Sequence, residues 1–459
     1  MLDIEHHLPR RSSLAIILLF NALIQITLFI IVSSSSAYAK HLGGSSTFSG
    51  LVIGVPLSIS GVALIPLMKY DQGKYGRPLH VCCGFMVLGH VLYGLAYHAN
   101  FLYLILLGRM VQGVGFAFSM YTKRYCSDTR IVGIRRRTTL AGYLVLGQGI
   151  GMSAGPFFGG LLYKVGFKNS VFNGYSAPGW IMAGVWIAFW IAATILFEDV
   201  PDSPRHEAIE LPSINIMIPA ADLSKQPKEY SSRPDPPPLQ SPTSSTSPPP
   251  PPFELEPFRT TPQQRGVIFC MCWFAMSCFF ILGAWEANIP VYGSSMLSSL
   301  HWSPYAAGNF LALGGAATIP FLLLNLFAAR RTQDRSILAL GTGLGLAGLI
   351  LALILFRGHM VKVHYAGLFI CWFLVALGFN LATTCTLSLL SKQLPPSWNA
   401  RSSLAIQYSN FTGRVAGSVW GGSGVHVGMR NYIGLEVALI GIGGLLFTTL
   451  WRELKAKTG

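Results

Sequence analysis

Charged residues are scarce in this sequence. Asp, Glu, Lys and Arg together make up 11% of its 459 residues, whereas a soluble domain usually carries about 25%. A soluble chain of this length would have too little polar surface to cover itself, so the soluble and secreted classes are excluded. The sequence has 33 Lys and Arg against 18 Asp and Glu. This excess does not indicate a nucleic-acid partner, because loops that face anionic lipid account for it.

Cysteine motifs and enzyme motifs are also missing. The eight cysteines include no C-x-x-C pair, so neither a zinc site nor a disulfide framework is expected. The sequence contains no P-loop of the form Gly-x-x-x-x-Gly-Lys-Ser/Thr. It also shows no grouping of a nucleophile with a base and no grouping of metal ligands. We therefore expect no enzyme activity, no metal and no cofactor.

Long apolar runs take the place of these features, and hydrophobic residues make up 51% of the chain. A helix needs about 20 apolar residues to cross a bilayer. Runs of this length predict twelve membrane helices, at 14–38, 48–68, 79–98, 101–121, 139–162, 178–197, 264–290, 305–328, 335–356, 363–390, 402–424 and 431–451. The predicted fold is therefore an all-α integral membrane protein that crosses the lipid bilayer many times.

Composition divides the chain into three parts. An N-terminal six-helix half covers 1–197, a linker covers 198–263 and a C-terminal six-helix half covers 264–459. The linker contains two proline runs, at 236–238 and 248–252, among Ser and Thr. Such a segment cannot bury enough apolar surface to offset its chain entropy, so we predict a disordered segment with polyproline character. The linker is a candidate binding segment for a cytoplasmic partner.

Lys and Arg predict the orientation in the membrane. They concentrate in the N-terminus, the linker, the C-terminus and alternate connections between helices, and the excess remains when the linker is left out. Cytoplasmic loops carry such an excess. Both termini and the linker are therefore predicted to be cytoplasmic. The sequence does not distinguish a vacuolar or lysosomal membrane from the plasma membrane.

The two halves share a glycine-rich segment. Residues 151–160 on the fifth predicted helix and residues 413–422 on the eleventh match at four glycines in register. Small residues let helix backbones approach closely in a membrane. A repeat of six helices joined by a long loop is typical of transporters.

Three motifs resemble those of the major facilitator superfamily. The segment Gly108-Arg109-Met110-Val111-Gln112-Gly113-Val114-Gly115 resembles its fourth-helix motif, and 151–160, with the step Gly155-Pro156, resembles its fifth-helix motif. Residues 71–77 are similar to its signature turn between helices two and three. That turn departs from the usual pattern, because Asp71 stands two residues early and Leu67 replaces the leading glycine.

A narrower likeness lies just before the sixth predicted helix. The segment 172–180, Phe-Asn-Gly-Tyr-Ser-Ala-Pro-Gly-Trp, resembles a stretch in the branch that contains SPX-linked vacuolar transporters and a lysosomal member linked to ceroid lipofuscinosis. No SPX domain is present in this sequence.

The resemblance implies a secondary active transporter of a small solute. Such a protein works by alternating access and is coupled to protons or another ion. The glycine motifs would then lie where the two halves rock against each other. The conformational candidates are Asp71, Gly76, Arg77, Gly151, Gly155, Pro156, Gly159, Gly413 and Gly417. A channel-like pore and a transport-inactive sensor or scaffold on the same fold are the alternatives.

Arg109 is the sharpest candidate for solute binding. A guanidinium within a membrane helix costs at least about 2.5–3.5 kcal/mol, so it must face a wet cavity or a partner. The resemblance implies that the fourth helix lines the central cavity, where Arg109 would either bind an anionic solute or repel protons from a neighbouring acid, with Gln112 on the same helix face. The alternative is a structural arginine bonded to backbone carbonyls of its own half.

Glu286 on the seventh predicted helix is the candidate for ion coupling, because a carboxyl can change charge when its exposure or its cationic partner changes. Arg414 on the eleventh helix is a potential partner. The other polar residues on presumed cavity helices either bind solute or join helices; they are Asn21, Gln25, Asn380, Thr383, Gln407 and Asn410. Glu436 and His90 fall on supporting helices, where local packing or snorkelling is expected.

Overall fold

The computed structural model describes residues 8–128, 130–133, 136–166, 169–200, 260–328, 332–357, 363–395 and 398–455. Most of the predicted linker, 201–259, lies outside the described residues. The described chain is built from fourteen α-helices. Residues up to Val200 and those from Thr261 onwards form one compact unit.

The N-terminal half contains eight helices. They are α1 (Arg11–Phe29), α2 (Ser35–His41), α3 (Ser46–Tyr70), α4 (Gly76–His98), α5 (Leu102–Phe116), α6 (Phe118–Ser127), α7 (Arg137–Val165) and α8 (Ala177–Leu196). The first predicted helix is thus interrupted between α1 and α2. The fourth is longer than predicted, because α6 continues from α5 as far as Ser127.

The C-terminal half contains six helices. They are α9 (Pro262–Gly293), α10 (Pro304–Ala328), α11 (Asp334–Leu355), α12 (Tyr365–Gln393), α13 (Asn399–Val427) and α14 (Met429–Thr449). A capping box begins α9: the Thr261 hydroxyl accepts from the backbone N–H of Gln264, whose side chain accepts from the backbone N–H of Thr261. The box fixes the point at which the second half starts.

Ten helical stretches in the described chain are long and apolar enough to cross a membrane, with α5 and α6 counted as one stretch. The prediction of an all-α integral membrane protein is confirmed. The other two predicted helices, α7 and α13, are present at 29 residues each. They fall outside the ten, since α7 carries the glycine-rich segment and α13 combines glycines with many Ser, Asn and Arg residues.

The glycine-rich segments pack mainly inside their own halves. A Cβ placed on Gly151, Gly155 or Gly159 would collide with α1 or the turn that follows it, and at Gly159 the obstacle is the carbonyl oxygen of Ile30. The equivalent stripe on α13, Gly413, Gly417 and Gly421, faces the carbonyl oxygens of Met276, Phe280 and Ala284 on α9. Each stripe therefore joins the fifth helix of its half to the first.

Contact between the halves is made by the neighbouring helix faces. The helix α7 packs against α10, and α3 packs against α13. The glycine one place beyond each stripe lies here: Gly160 approaches Pro304 and Tyr305, and Gly422 approaches Ser46. The predicted place of these helices between the halves agrees with the structure. The three glycines of each stripe do not form the interface between the halves, because residues spaced four apart lie on one face of a helix and contact one neighbouring helix.

Substitution of Gly159 tests this packing. We expect Gly159→Ala to lower the free energy of unfolding by about 1–3 kcal/mol, since its methyl group would displace the Ile30 carbonyl. Gly434→Ala on α14 is the matched control, because a Cβ there meets nothing within 4 Å. Thermal unfolding of the purified protein in detergent measures both. Equal melting temperatures for the two variants would contradict the close approach.

Candidate functional site

A narrow cavity of about 120 Å³ lies between the two halves. Its lining comes from both halves: Ile24, Gln25, Leu28, Leu57, Phe116, Ser119, Lys123, Gln148, Phe279, Gln407, Asn410, Phe411 and Arg414. Apolar walls with a few converging polar groups are the usual composition of a ligand site.

The cavity lies toward the end of the bundle that carries the signature turn. The exposed Lys123 is beside Arg124, which binds Asp71 of that turn. At the opposite end the halves close on each other, since Gly50 lies against Ser418 and Lys164 lies 4.4 Å from the ring centroid of Tyr305. The cavity is therefore accessible from the predicted cytoplasmic end.

Arg414 is the deepest charged residue that borders the cavity. Its guanidinium forms an ion pair with Glu286 of α9 and lies 5.1 Å from the ring centroid of Phe29 and 5.8 Å from that of Phe279. Arg414 is 8% exposed and Glu286 3%. Only Arg414 is among the lining residues, so it stands between the carboxylate and the cavity.

The charge of the cavity wall is positive. Among the described lining residues Lys123 and Arg414 are cationic and none is acidic. The Lys123 ammonium donates to the Gln407 amide oxygen at 3.4 Å. Asn410 is half-buried, and its side-chain oxygen has no hydrogen-bond partner among the described residues. The wall thus offers cations and amides to a bound molecule.

Arg109 lies elsewhere. It is fully buried within the N-terminal half, where it donates to the carbonyl oxygens of Val52 at 3.1 Å and Thr27 at 3.3 Å, and to the Gln112 side chain at 2.6 Å. These bonds tie α5 to α3 and α1. Neither Arg109 nor Gln112 borders the cavity. These contacts favour the alternative, a structural arginine bonded to backbone carbonyls of its own half, although its Nη2 has no hydrogen-bond partner among the described residues.

Two further predicted amides, Asn21 and Asn380, are not among the residues that line the cavity. Asn21 is buried and donates to the Leu144 carbonyl at 2.8 Å, which connects α1 to α7. Asn380 donates to the Ala376 carbonyl one turn earlier in α12, and Thr383 donates in turn to the Asn380 carbonyl. The structure does bring four predicted residues together in the cavity wall: Gln25, Gln407, Asn410 and Arg414.

The signature turn is fastened to the end of α6. The buried Asp71 accepts from Arg124 at 2.8 Å and from the backbone N–H of Gly73. Arg77 is exposed and donates to Gln72 of the same turn. Asp71 therefore forms the contact that holds the turn to α6.

Two further acids, which were not identified from the sequence, contact the signature turn. Asp199, after α8, accepts from the backbone N–H groups of Tyr75 and Gly76 and so caps α4 from a distant part of the chain. Asp128 accepts from the Tyr75 hydroxyl and from Arg130. Partial burial acts to raise the pKa of Asp128, but the hydrogen bonds from Arg130 and Tyr75 outweigh it and lower that pKa. Asp128 therefore holds the turn in place as a carboxylate, and Asp199 fixes the start of α4.

Sequence reasoning also missed Lys123 and Gln148 in the cavity wall. Lys123 lies two residues beyond the predicted end of the fourth helix, whereas α6 continues past it. Gln148 lies three residues before Gly151 on α7. A search for polar residues on the fifth helix, like that made on the first, tenth and eleventh, would have found it.

Comparison with known proteins agrees with this architecture. Residues 14–418 match the family model of the Major Facilitator Superfamily. In Schizosaccharomyces pombe, the uncharacterized protein CC613.01 is 30% identical over 98% of this chain and 84% of its own length. The SPX domain-containing membrane protein At4g11810 of Arabidopsis thaliana is 32% identical over 44% of this chain and 28% of its own length. The resemblance to SPX-linked members is thus confirmed.

Solved structures share the fold at low sequence identity. A POT family transporter in complex with a peptide conjugate aligns with a TM-score of 0.69 at 11% identity, over 98% of this chain and 99% of that chain. A bacterial homologue of the lysosomal transporter Spinster, in an inward-facing and unoccupied conformation, aligns with a TM-score of 0.65 at 14% identity, over 96% of both chains. By its sequence match and its fold, the chain belongs to the Major Facilitator Superfamily of membrane transporters.

Proposed function

We propose that this protein is a secondary active transporter of a small organic anion and that Glu286 and Arg414 couple transport to protons. The observation that carries the proposal is the cavity wall, which joins Arg414 and Lys123 to four amide side chains and includes no acid among its described residues. Cations in a partly desolvated wall attract an anion strongly, and a guanidinium binds carboxylate or phosphate through two parallel bonds.

The coupling step follows from the position of Arg414. Its guanidinium is bound by Glu286 on one side and borders the cavity on the other. An anionic solute that engages Arg414 competes with Glu286 for it. Because a buried carboxylate without a cation is unfavourable, loss of the pair favours protonation of Glu286. Binding of the anion and binding of the proton therefore support each other, and the two cross the membrane together.

Uptake and efflux in sealed vesicles with an imposed pH gradient test this function. We expect a panel of small carboxylates and organophosphates to include a solute that accumulates with the gradient and saturates, while neutral and cationic analogues do not compete. Conductance far beyond a turnover rate would support a channel instead. Absence of flux for every solute class would support a sensor or scaffold, and accumulation of cations alone would overturn the anion proposal.

The orientation is part of the proposal. The distribution of Lys and Arg puts both termini and residues 198–263 in the cytoplasm. We expect protease added to intact cells to leave the linker uncut, and protease added after selective permeabilisation of the plasma membrane to cut it. Immunoblots against tags at the two ends report the fragments. Cleavage in intact cells would reverse the orientation.

A further inference from the structure

A second carboxyl, Glu436 on α14, is enclosed in the C-terminal half. It is 0% exposed. Its Oε2 accepts from the indole N–H of Trp285 at 2.8 Å, and its Oε1 has no hydrogen-bond partner among the described residues. The Tyr432 hydroxyl lies beside this carboxyl without forming an aligned hydrogen bond to it. Two buried polar atoms in this cluster, Oε1 of Glu436 and the hydroxyl oxygen of Tyr432, thus lack a hydrogen-bond partner among the described residues.

No cation compensates Glu436 within the described chain. From α9 the group that faces it is Trp285, and the adjacent Glu286 is paired with Arg414 of α13. The charged residues of α11, Asp334 and Arg335, lie in its first turn. Arg335 contacts Trp451, which follows the C-terminal end of α14 and is distant from Glu436 near its N-terminal end. The remaining charged or titratable groups near the start of α14 are exposed; they are Arg430 and His426. An ionised carboxylate here would be both buried and unpaired, which is strongly unfavourable, so the geometry requires the neutral acid.

The cluster has an aromatic border on the side away from the solute cavity. Tyr432 and Trp285 line a narrow cleft together with Asn288 and Tyr292. Tyr292 is near the last residue of α9, and α14 begins three residues before Tyr432. The cleft therefore lies toward the closed end of the bundle, opposite the signature turn. The buried Tyr432 thus lies between Glu436 and this cleft.

The same cluster is joined to the coupling pair by the backbone of α9. Trp285 and Glu286 are consecutive residues, one bonded to Glu436 and the other to Arg414. A rotation or shift of this turn that separates Glu286 from Arg414 also moves the indole that holds Glu436. The two carboxyls are therefore linked through one turn of α9, although Trp285 and Glu286 lie on different faces of that helix.

We propose that Glu436 is a second proton-binding site, which carries a proton in this conformation and exchanges it with water on the predicted outer side through Tyr432. The carboxyl proton moves to the Tyr432 oxygen as the Tyr432 hydroxyl proton moves to a water on the outer side, and the reverse transfers return it. This proposal rests on the proton coupling proposed above and adds a site on a supporting helix. It does not require Glu436 to touch the solute.

Infrared difference spectroscopy of the full-length protein in liposomes tests the protonation state without any solute. We expect wild type at neutral pH to show the carbonyl band of a protonated carboxylic acid that Glu436→Gln lacks, because the amide keeps the acceptor for Trp285 and removes the proton. Glu453→Gln, an exposed acid near the C-terminus, should leave the band in place. Loss of a carboxylate band in Glu436→Gln would show an ionised Glu436 and overturn the proposal.

The route is tested with Tyr432→Phe, which keeps the ring that stacks on Trp420 and removes the hydroxyl. After transfer to D₂O we expect the acid band to shift several-fold more slowly in this variant than in wild type. An unchanged rate would overturn the route through Tyr432. Failure of solute accumulation in the vesicle experiment would count against the coupling function alone, since the infrared band is measured without transport.

Discussion

Glu286→Gln should abolish accumulation driven by a pH gradient while the protein still exchanges solute across the membrane. The amide keeps the shape of the side chain and its acceptor for Arg414, but it does not titrate. With the proton site fixed in its neutral form, binding of the anion is no longer linked to a proton, and the gradient does no work on the solute. Net accumulation in vesicles should fall to the level without a gradient.

The measurement that separates coupling from general damage is counterflow of labelled solute. We expect exchange in Glu286→Gln to stay within a few-fold of wild type, because the amide oxygen still accepts from Arg414 and the Arg414 guanidinium borders the cavity. Glu453→Gln, an exposed acid near the C-terminus, is the matched control and should accumulate normally. If Glu286→Gln accumulates solute with the wild-type dependence on the gradient, Glu286 is not the coupling residue.

Arg414→Ala should lose both solute binding and stability. The substitution removes the deepest cation of the cavity and leaves Glu286 buried without its partner. Breaking a buried ion pair in this way costs about 3–5 kcal/mol. We expect a large fall in melting temperature and no measurable uptake. Arg414→Lys should recover little uptake, since an ammonium does not form the paired bonds of a guanidinium.

A double variant distinguishes the two losses. In Arg414→Ala combined with Glu286→Gln no charge is left uncompensated, so stability should return most of the way to wild type, whereas uptake should stay absent. Arg401→Ala is the control for arginine removal from α13, because Arg401 is exposed and stacks on Trp398. Uptake by the double variant at the wild-type level would show that Arg414 is needed only to neutralise Glu286.

The contrast between Arg109 and Arg414 shows that the sequence identifies arginines within membrane helices but not which of them borders the cavity. Both are arginines within membrane helices, and hydropathy treats them alike. Arg109 has carbonyl oxygens of two neighbouring helices within reach, whereas Arg414 has a carboxylate on one side and the cavity on the other. The family resemblance put Arg109 at the cavity, and the structure puts Arg414 there. The side on which a residue of a helix lies depends on the rotation of that helix in the bundle, which a single sequence does not specify.

The glycine-rich segments also show what the sequence can and cannot predict about packing. Their register in the two halves was visible in the sequence, and the structure preserves it: each stripe packs on the first helix of its half. The sequence could not say which neighbour each glycine touches, because small residues permit close approach without choosing a partner. Gly159 and Gly160 are adjacent, yet one faces α1 and the other faces the opposite half.

By itself, the sequence determined the class of this protein, its helices and its family. Apolar runs of bilayer length and scarce charge leave no other class, since backbone polar groups in lipid must be satisfied within helices. Only the tertiary structure decided which polar residues meet. The cavity wall, the Glu286–Arg414 pair and the enclosed Glu436 each combine side chains more than 100 positions apart. Their meeting depends on helix rotation and on the packing of the halves, which arise from the summed contacts of the whole bundle and not from any local pattern.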